Sequence, residues 1–216
     1  PQKGLTKRNG LKILEEGIQP VCFVGTSGGS VYCYDSCVAD GKIYVCSAHR
    51  ISIFDAETLE FLSYFGSYGA GDGQFNRPRS ICSDGQYIFV SDTNNHRIQK
   101  FTLAGEFISK VGSLGSGDDN FNTPFCIRYD DGKLYICDRY NNRLKTHSSL
   151  DLSFIANYSL TFAPISCSID AIHQDILITN SYAIYIYQLS DFQLIKNKPG
   201  FPQFIGLFQK DNYVYI

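Results

Sequence analysis

Residues 66–101 read GSYGAGDGQFNRPRSICSDGQYIFVSDTNNHRIQKF, and residues 112–147 read GSLGSGDDNFNTPFCIRYDDGKLYICDRYNNRLKTH. Gly66, Phe75, Pro78, Asp84, Asp92, Asn95 and Arg97 return at Gly112, Phe121, Pro124, Asp130, Asp138, Asn141 and Arg143, each 46 residues on and without a gap. Matching at one fixed offset marks a repeat architecture. A looser copy lies upstream, where Asp40-Gly41-Lys42-Ile43-Tyr44-Val45-Cys46 leads to His49-Arg50-Ile51, matching His96-Arg97-Ile98 after a one-residue deletion. A fourth copy carries Pro164, Asp170, Ile176-Leu177-Ile178 and Asn180 in the corresponding places, and its arginine is gone.

Each copy has an all-β pattern. Short runs rich in Ile, Val, Tyr and Phe are separated by Asp-Gly, Asn-Asn or Gly-rich turns. In the second copy Ser80-Ile81-Cys82, Tyr87-Ile88-Phe89-Val90, Arg97-Ile98-Gln99-Lys100-Phe101 and Phe107-Ile108-Ser109-Lys110-Val111 read as four successive strands. No stretch sustains a helical apolar period. Four antiparallel strands per repeat of about 45 residues are the mark of a β-propeller blade. The expected division is a single domain over residues 1–216, with whole blades at 31–66, 67–112, 113–160 and 161–200 and half-blades at 6–30 and 201–216. In the first half-blade Leu11–Leu14 and Val21–Gly25 read as third and fourth strands; in the last, Phe204–Phe208 and Tyr213–Ile216 read as first and second. Two complementary halves allow either a closed five-bladed ring or a slice of a six-bladed one, and an open slice exposes two sheet edges.

Composition sets the outer bounds. Of the 216 residues 44% are hydrophobic and 19% charged, with 16 Phe and 15 Tyr, so there is material for a sizeable core and no signature of disorder. The chain contains no Met and begins with Pro1, which reads as an internal piece of a longer protein. A net charge of −2 gives no general attraction to phosphate backbones. The longest uncharged stretch, 152–169, is too polar and too interrupted for a membrane span. Eight cysteines, at 22, 33, 37, 46, 82, 126, 137 and 167, form no C-x-x-C pair; most lie in apolar strand runs, as reduced core thiols of a cytoplasmic protein would.

The motifs resemble the NHL-repeat family, whose units run G-x-G-x-F-x-x-P, then D-x-x-x-x-Y-V-x-D-x-x-N-x-R-I-x-x-F. The match is best in residues 66–147, good from 31 to 66 and weak from 160 to 216. The resemblance implies a propeller, usually six-bladed, that binds protein or RNA partners; some members form the substrate-recognition end of tripartite-motif ubiquitin ligases. A related propeller is a metal-dependent lyase acting on peptide ends.

Candidate residues sort by whether they repeat, because scaffold recurs in every copy whereas a site breaks the symmetry. Asp92 with Arg97 and Asp138 with Arg143 recur, and are expected to be structural charge-assisted hydrogen bonds joining the second strand to the third. The Gly66–Gly73 and Gly112–Gly117 loops have G-x-G spacing, but an extended strand follows them where a phosphate loop needs a helix. His49 and His96 are equivalent, yet Asn142 stands in the third copy, so no third ligand completes a zinc site. No nucleophile elbow or metalloprotease motif is present. The expectation is therefore no catalytic residue, no metal and no cofactor.

What remains is the loop face. Asn94, Asn95, His96, Arg139, Tyr140, Asn141, Asn142, Ser181 and Tyr182, with Tyr68, Arg77 and Arg79 nearby in sequence, are of the types that anchor interfaces or stack on single-stranded bases. Asp72, Asp118 and Asp119 in the neighbouring loops disfavour phosphate. The sequence thus points to a non-enzymatic scaffold whose loop face binds a protein or peptide. Single-stranded RNA on the same face and a metal enzyme in the central channel are the alternatives, and no membrane or DNA partner is expected.

Overall fold

The computed structural model describes residues 6–8, 11–13, 33–171, 173–199, 208–210 and 213–215. The first whole blade is a meander of β3 (Cys33–Ala39), β4 (Lys42–Ser47), β5 (Arg50–Asp55) and β6 (Phe61–Phe65). The second comprises β7 (Pro78–Ser83), β8 (Tyr87–Asp92), β9 (Arg97–Thr102) and β10 (Phe107–Val111). The third comprises β11 (Pro124–Asp130), β12 (Lys133–Asp138), β13 (Arg143–Ser148) and β14 (Phe154–Ser159). The fourth comprises β15 (Ser166–Asp170), β16 (Asp175–Thr179), β17 (Ala183–Gln188) and β18 (Leu194–Pro199). All four sheets are antiparallel in sequential order. Two short hairpins pair β1 (Thr6–Arg8) with β2 (Leu11–Ile13) and β19 (Phe208–Lys210) with β20 (Tyr213–Tyr215). The strands expected at 21–25 and 204–207 lie outside the described residues.

The first strands of successive blades run side by side, β3 with β7, β7 with β11 and β11 with β15. They line the axis, and the outer strands β6, β10, β14 and β18 are the exposed ones. This is the β-propeller fold, with four whole four-stranded blades.

The core lies between blades. Tyr44, Ile51, Ile53, Ile81, Ile88, Val90, Phe75 and Phe101 pack the first blade on the second. Phe89, Ile98, Phe121, Ile127, Leu134 and Ile136 pack the second on the third, and Tyr135, Cys137, Leu144, Cys167, Ile176 and Ile178 pack the third on the fourth. The repeated glycine and phenylalanine form one device. Gly66 sits at φ 88°, and a Cβ there would stand 2.4 Å from the ring of the wholly buried Phe75. At Gly112 (φ 116°) a Cβ would meet the His96 carbonyl oxygen at 2.7 Å and Phe121 at 2.7 Å. The glycine lets the loop cross over the aromatic wedge as the chain passes to the next blade.

The recurring spacing of aspartate and arginine closes that loop. Asp92 Oδ2 accepts from Arg97 Nε at 2.7 Å, Asn95 Nδ2 at 2.8 Å and Gln99 Nε2 at 3.1 Å, and Oδ1 accepts from the Asn76 backbone at 2.7 Å. Arg97 then donates to the carbonyls of Ala70, Gly71 and Gln74, all at 2.8 Å. Asp138, Asn141 and Arg143 repeat the arrangement around Asn122, Ser116, Gly117 and Asn120. Where the second blade uses Gln99, the third uses the buried Lys145, which donates to Gly117 and Asp118 carbonyls at 2.9 and 2.8 Å. Burial, with the Arg143 charge beside it, lowers its pKa to about 8.

Further ties cross the blades near the axis. Arg128 Nη1 on β11 donates to Asp35 Oδ2 on β3 at 2.8 Å and to Ser80 Oγ on β7 at 2.9 Å, and Ser80 Oγ in turn bonds Asp35.

Two stability predictions follow from this wiring. Asp92 and Arg97 are both buried, so Asp92→Ala leaves an unpaired guanidinium and four orphaned donors; the expected loss is about 3–5 kcal/mol in a denaturant titration. Asp138→Ala orphans three donors and leaves Arg143 without its carboxylate, with a loss of similar size expected. His147 is wholly buried, its Nδ1–H donating to the Leu152 carbonyl at 2.8 Å while Nε2 has no partner between Phe121 and Phe154. Burial lowers its pKa from the ordinary 6.5. Below that value the unfolded chain takes up a proton that the folded one refuses, so stability is lost as pH falls. His173, held by Asp170, is shifted upward and acts with opposite sign. Urea midpoints measured from neutral pH down to about pH 5 should therefore fall less steeply in His147→Gln than in the parent.

Candidate partner-docking face

The site is built by β-bulges at the start of three inner strands. In register, Cys33 faces Ser47 and Asp35 faces Cys46, so Tyr34 is the extra residue; Arg79 and Phe125 are the extra residues at the equivalent points of β7 and β11. A bulge turns its residue out of the pleat and re-aims the side chain. The three side chains meet. The Arg79 guanidinium lies 4.4 Å from the Tyr34 ring centroid and 5.2 Å from that of Phe125. The other guanidinium, Arg139, stands 4.8 Å from Phe125 and 5.2 Å from Tyr140. Tyr34, Arg79, Phe125, Arg139 and Tyr140 thus form an alternating row of cations and aromatic faces across three blades.

Arg139 enters the row from the turn between β12 and β13. A 3₁₀ turn, Arg139–Asn141, follows Asp138, and Asn142 closes it in the left-handed conformation at φ 51°. The matching turn Thr93–Asn95 is closed by His96 at φ 54°. These turns form because Asp138 and Asp92 are held by the donors described above. Arg139 Nε is buried without a hydrogen-bond partner, and among the described residues neither Arg79 nor Arg139 has an ion pair. Tyr140 is 58% exposed. The row offers two cations already oriented by aromatic faces, with part of their donor capacity unspent.

The remaining expected residues are placed differently. Asn95 and Asn141 donate to Asp92 and Asp138 and to the carbonyls of Gly69 and Gly115, bracing loops. His96 Nδ1 accepts from the Thr123 backbone at 3.0 Å, and His49 Nδ1 accepts from Arg77 N at 3.3 Å, so both histidines lash their blade to the next. Asn94 reaches Asn76 at 3.5 Å. Tyr68 is 67% exposed and meets the edge of His49 at 4.8 Å, making a smaller patch with the exposed Arg77. Tyr182, 77% exposed, projects from the fourth blade after Asn180, whose Oδ1 accepts from its backbone N–H. Asp72 pairs with Lys110 and Asp118 with Asn157, both on outer strands, so these acids are engaged at the outer side of the blades.

Arg79, Arg139 and Tyr140 are therefore brought together, and Tyr34 and Phe125 join them without having been expected. One signal was available. Arg79 and Phe125 each follow the repeat's proline, at Pro78 and Pro124, and differ where the frame around them is kept.

Comparison with known proteins agrees with this architecture. The NHL-repeat family model matches residues 75–101, from the Phe75 wedge through Asp92 and Arg97 to Phe101, and supports the resemblance seen in the sequence. The B-box type zinc finger protein ncl-1 of Caenorhabditis elegans is 50% identical over 42 residues, which cover 19% of this chain and 5% of that protein. Among solved structures, the Kuenenia stuttgartiensis hydrazine synthase superposes with a TM-score of 0.62 at 10% identity, over 82% of this chain and 52% of that one. A protein of unknown function from Bacteroides caccae gives 0.59 at 13% identity, over 84% and 65%. At such identities the likeness is one of fold.

If Phe125 carries the row, its loss should uncouple both arginines. Phe125→Leu is expected to cost about 1–2 kcal/mol in urea unfolding with the β-sheet circular dichroism unchanged. A double-mutant cycle with Arg79→Met should give a coupling of about 0.5–1 kcal/mol.

Proposed function

We propose that this propeller is a non-enzymatic interaction module, and that the row Tyr34–Arg79–Phe125–Arg139–Tyr140 docks a protein segment bearing an acidic side chain beside an apolar one. The carrying observation is the pair of arginines stacked on Phe125 without carboxylate partners. A stacked guanidinium keeps its in-plane N–H groups free, which suits bidentate capture of a carboxylate, while the aromatic faces take apolar contact. Preordering by the rings lowers the entropy lost on binding. The outlying Tyr68, Arg77 and Tyr182, with Asn94, extend the same face as a rim. An NHL-type propeller as an interaction scaffold is the general class; a substrate-recognition role in a ubiquitin ligase is a finer reading that needs catalytic domains elsewhere in a longer protein. Cys37, Cys46, Cys82, Cys126, Cys137 and Cys167 are buried and form no disulfide, which supports a reducing, cytoplasmic setting.

Single-stranded RNA is the second reading, favoured by the same arginine and aromatic stack. Asp72 and Asp118, two of the acids expected to disfavour phosphate, are engaged at the outer side of the blades, so the two readings are separated by experiment. An arrayed peptide library should retain peptides containing Asp or Glu next to an apolar residue, with binding lost in the Arg79→Ser/Arg139→Ser double variant and in Phe125→Ser. Peptide selection unchanged in these variants would overturn the assignment. Binding of a random single-stranded RNA pool at about 50 mM salt, lost in the same variants, would transfer the face to nucleic acid.

A further inference from the structure

The junction of the third and fourth blades holds a cluster for which the docking face has no use. Cys126 on β11 lies directly across from Cys137 on β12, and Cys167 on β15 comes from the next blade. Their sulfur atoms all lie within 4.8 Å of one another, and those of Cys126 and Cys167 are 3.8 Å apart. All three residues are buried, Cys137 and Cys167 completely. Metal–thiolate bonds of about 2.3 Å place tetrahedral sulfurs about 3.8 Å apart, and a trigonal set slightly wider. A disulfide needs about 2.05 Å. The spacing therefore suits sulfurs around a shared ion better than a covalent pair.

Polar groups converge on the Cys126 sulfur. The Cys167 backbone N–H donates to Cys126 Sγ at 3.4 Å, and Ser166 Oγ stands 3.9 Å from it. Arg128, two residues along the same strand, supplies a positive charge that acts on Cys126 and Cys167.

The cluster also breaks the repeat. In register the three positions are Ser80, Ser91 and Ile127 at the preceding junction, and Asp35, Cys46 and Ile81 one before that. Only the third junction among the described ones gathers three sulfurs.

We propose that Cys126, Cys137 and Cys167 form a three-thiolate site for a single thiophilic d¹⁰ cation, copper(I) or zinc(II). Soft thiolates select these ions, and three sulfurs without a carboxylate or imidazole ligand suit trigonal copper(I). Three metal–sulfur bonds form, the thiol protons pass to solvent, and no electron is transferred. Since the sulfurs are closed to water, the ion enters as the chain folds.

The test is anaerobic refolding of the chain with copper(I) or, separately, zinc(II), followed by removal of loosely held metal with a chelator and elemental analysis. The expected result is one ion per chain, a thiolate-to-metal charge-transfer band and a raised melting temperature, with the ion retained identifying the metal. The control variant is Cys126→Ser/Cys137→Ser/Cys167→Ile, which installs the side chains that the preceding junction already packs; it should fold and lose the ion. Cys37→Ser and Cys82→Ser should keep it. No uptake by the parent chain, or uptake undiminished in the triple variant, would overturn the proposal and leave the thiols as core packing.

Discussion

A buried carboxylate that accepts four hydrogen bonds at Asp92 and three at Asp138 organises each of the two central blades. Asp92 and Asp138 are sealed from water, where an uncompensated anion is too costly to persist. Meeting that demand draws in the arginine and asparagine of the following turn and a backbone N–H of the preceding loop. The arginine in turn spends its remaining donors on three carbonyls of the Gly-rich crossing. One charge pair thereby locks the turn between second and third strands, the crossing loop and the entry of the inner strand. The Gly66/Phe75 and Gly112/Phe121 contacts can then pack tightly, and the blade junctions follow.

Against this recurring frame, the departures carry the function proposed for the chain. The bulge after the start of each inner strand is kept, but its occupant changes from Tyr34 to Arg79 to Phe125. Those differences create the alternating row, because an arginine between two aromatic faces needs unlike neighbours. The thiol cluster departs in the same way at another depth. The same positions at the preceding junction hold two serines and an isoleucine, which pack as core and offer no soft ligand.

The propeller fold is shared with proteins at 10% and 13% identity, one of them a hydrazine synthase and one of unknown function. A fold common to such different chains says little about chemistry. The reading as an interaction module accordingly rests on particular side chains: two arginines held on aromatic faces with donors to spare.

The gapless 46-residue offset, the turn dipeptides and the short runs rich in Ile, Val, Tyr and Phe determined the blades and their strands from sequence alone, since these are local properties of the chain. The aspartate–arginine frame was legible for the same reason. Which side chains meet across blades was not. Tyr34 and Phe125 are 91 residues apart, and only the stacking of inner strands puts Arg79 between them. Asn95, Asn141 and His96 looked like surface amides and an imidazole, yet the tertiary structure turned the amides onto buried aspartates and all three onto backbone groups of neighbouring loops. Cys126 and Cys167, read separately as small hydrophobes, became neighbours at 3.8 Å because adjacent inner strands run side by side at the axis. Sequence spacing determines what recurs within a blade; the distance between one blade and the next is decided by packing.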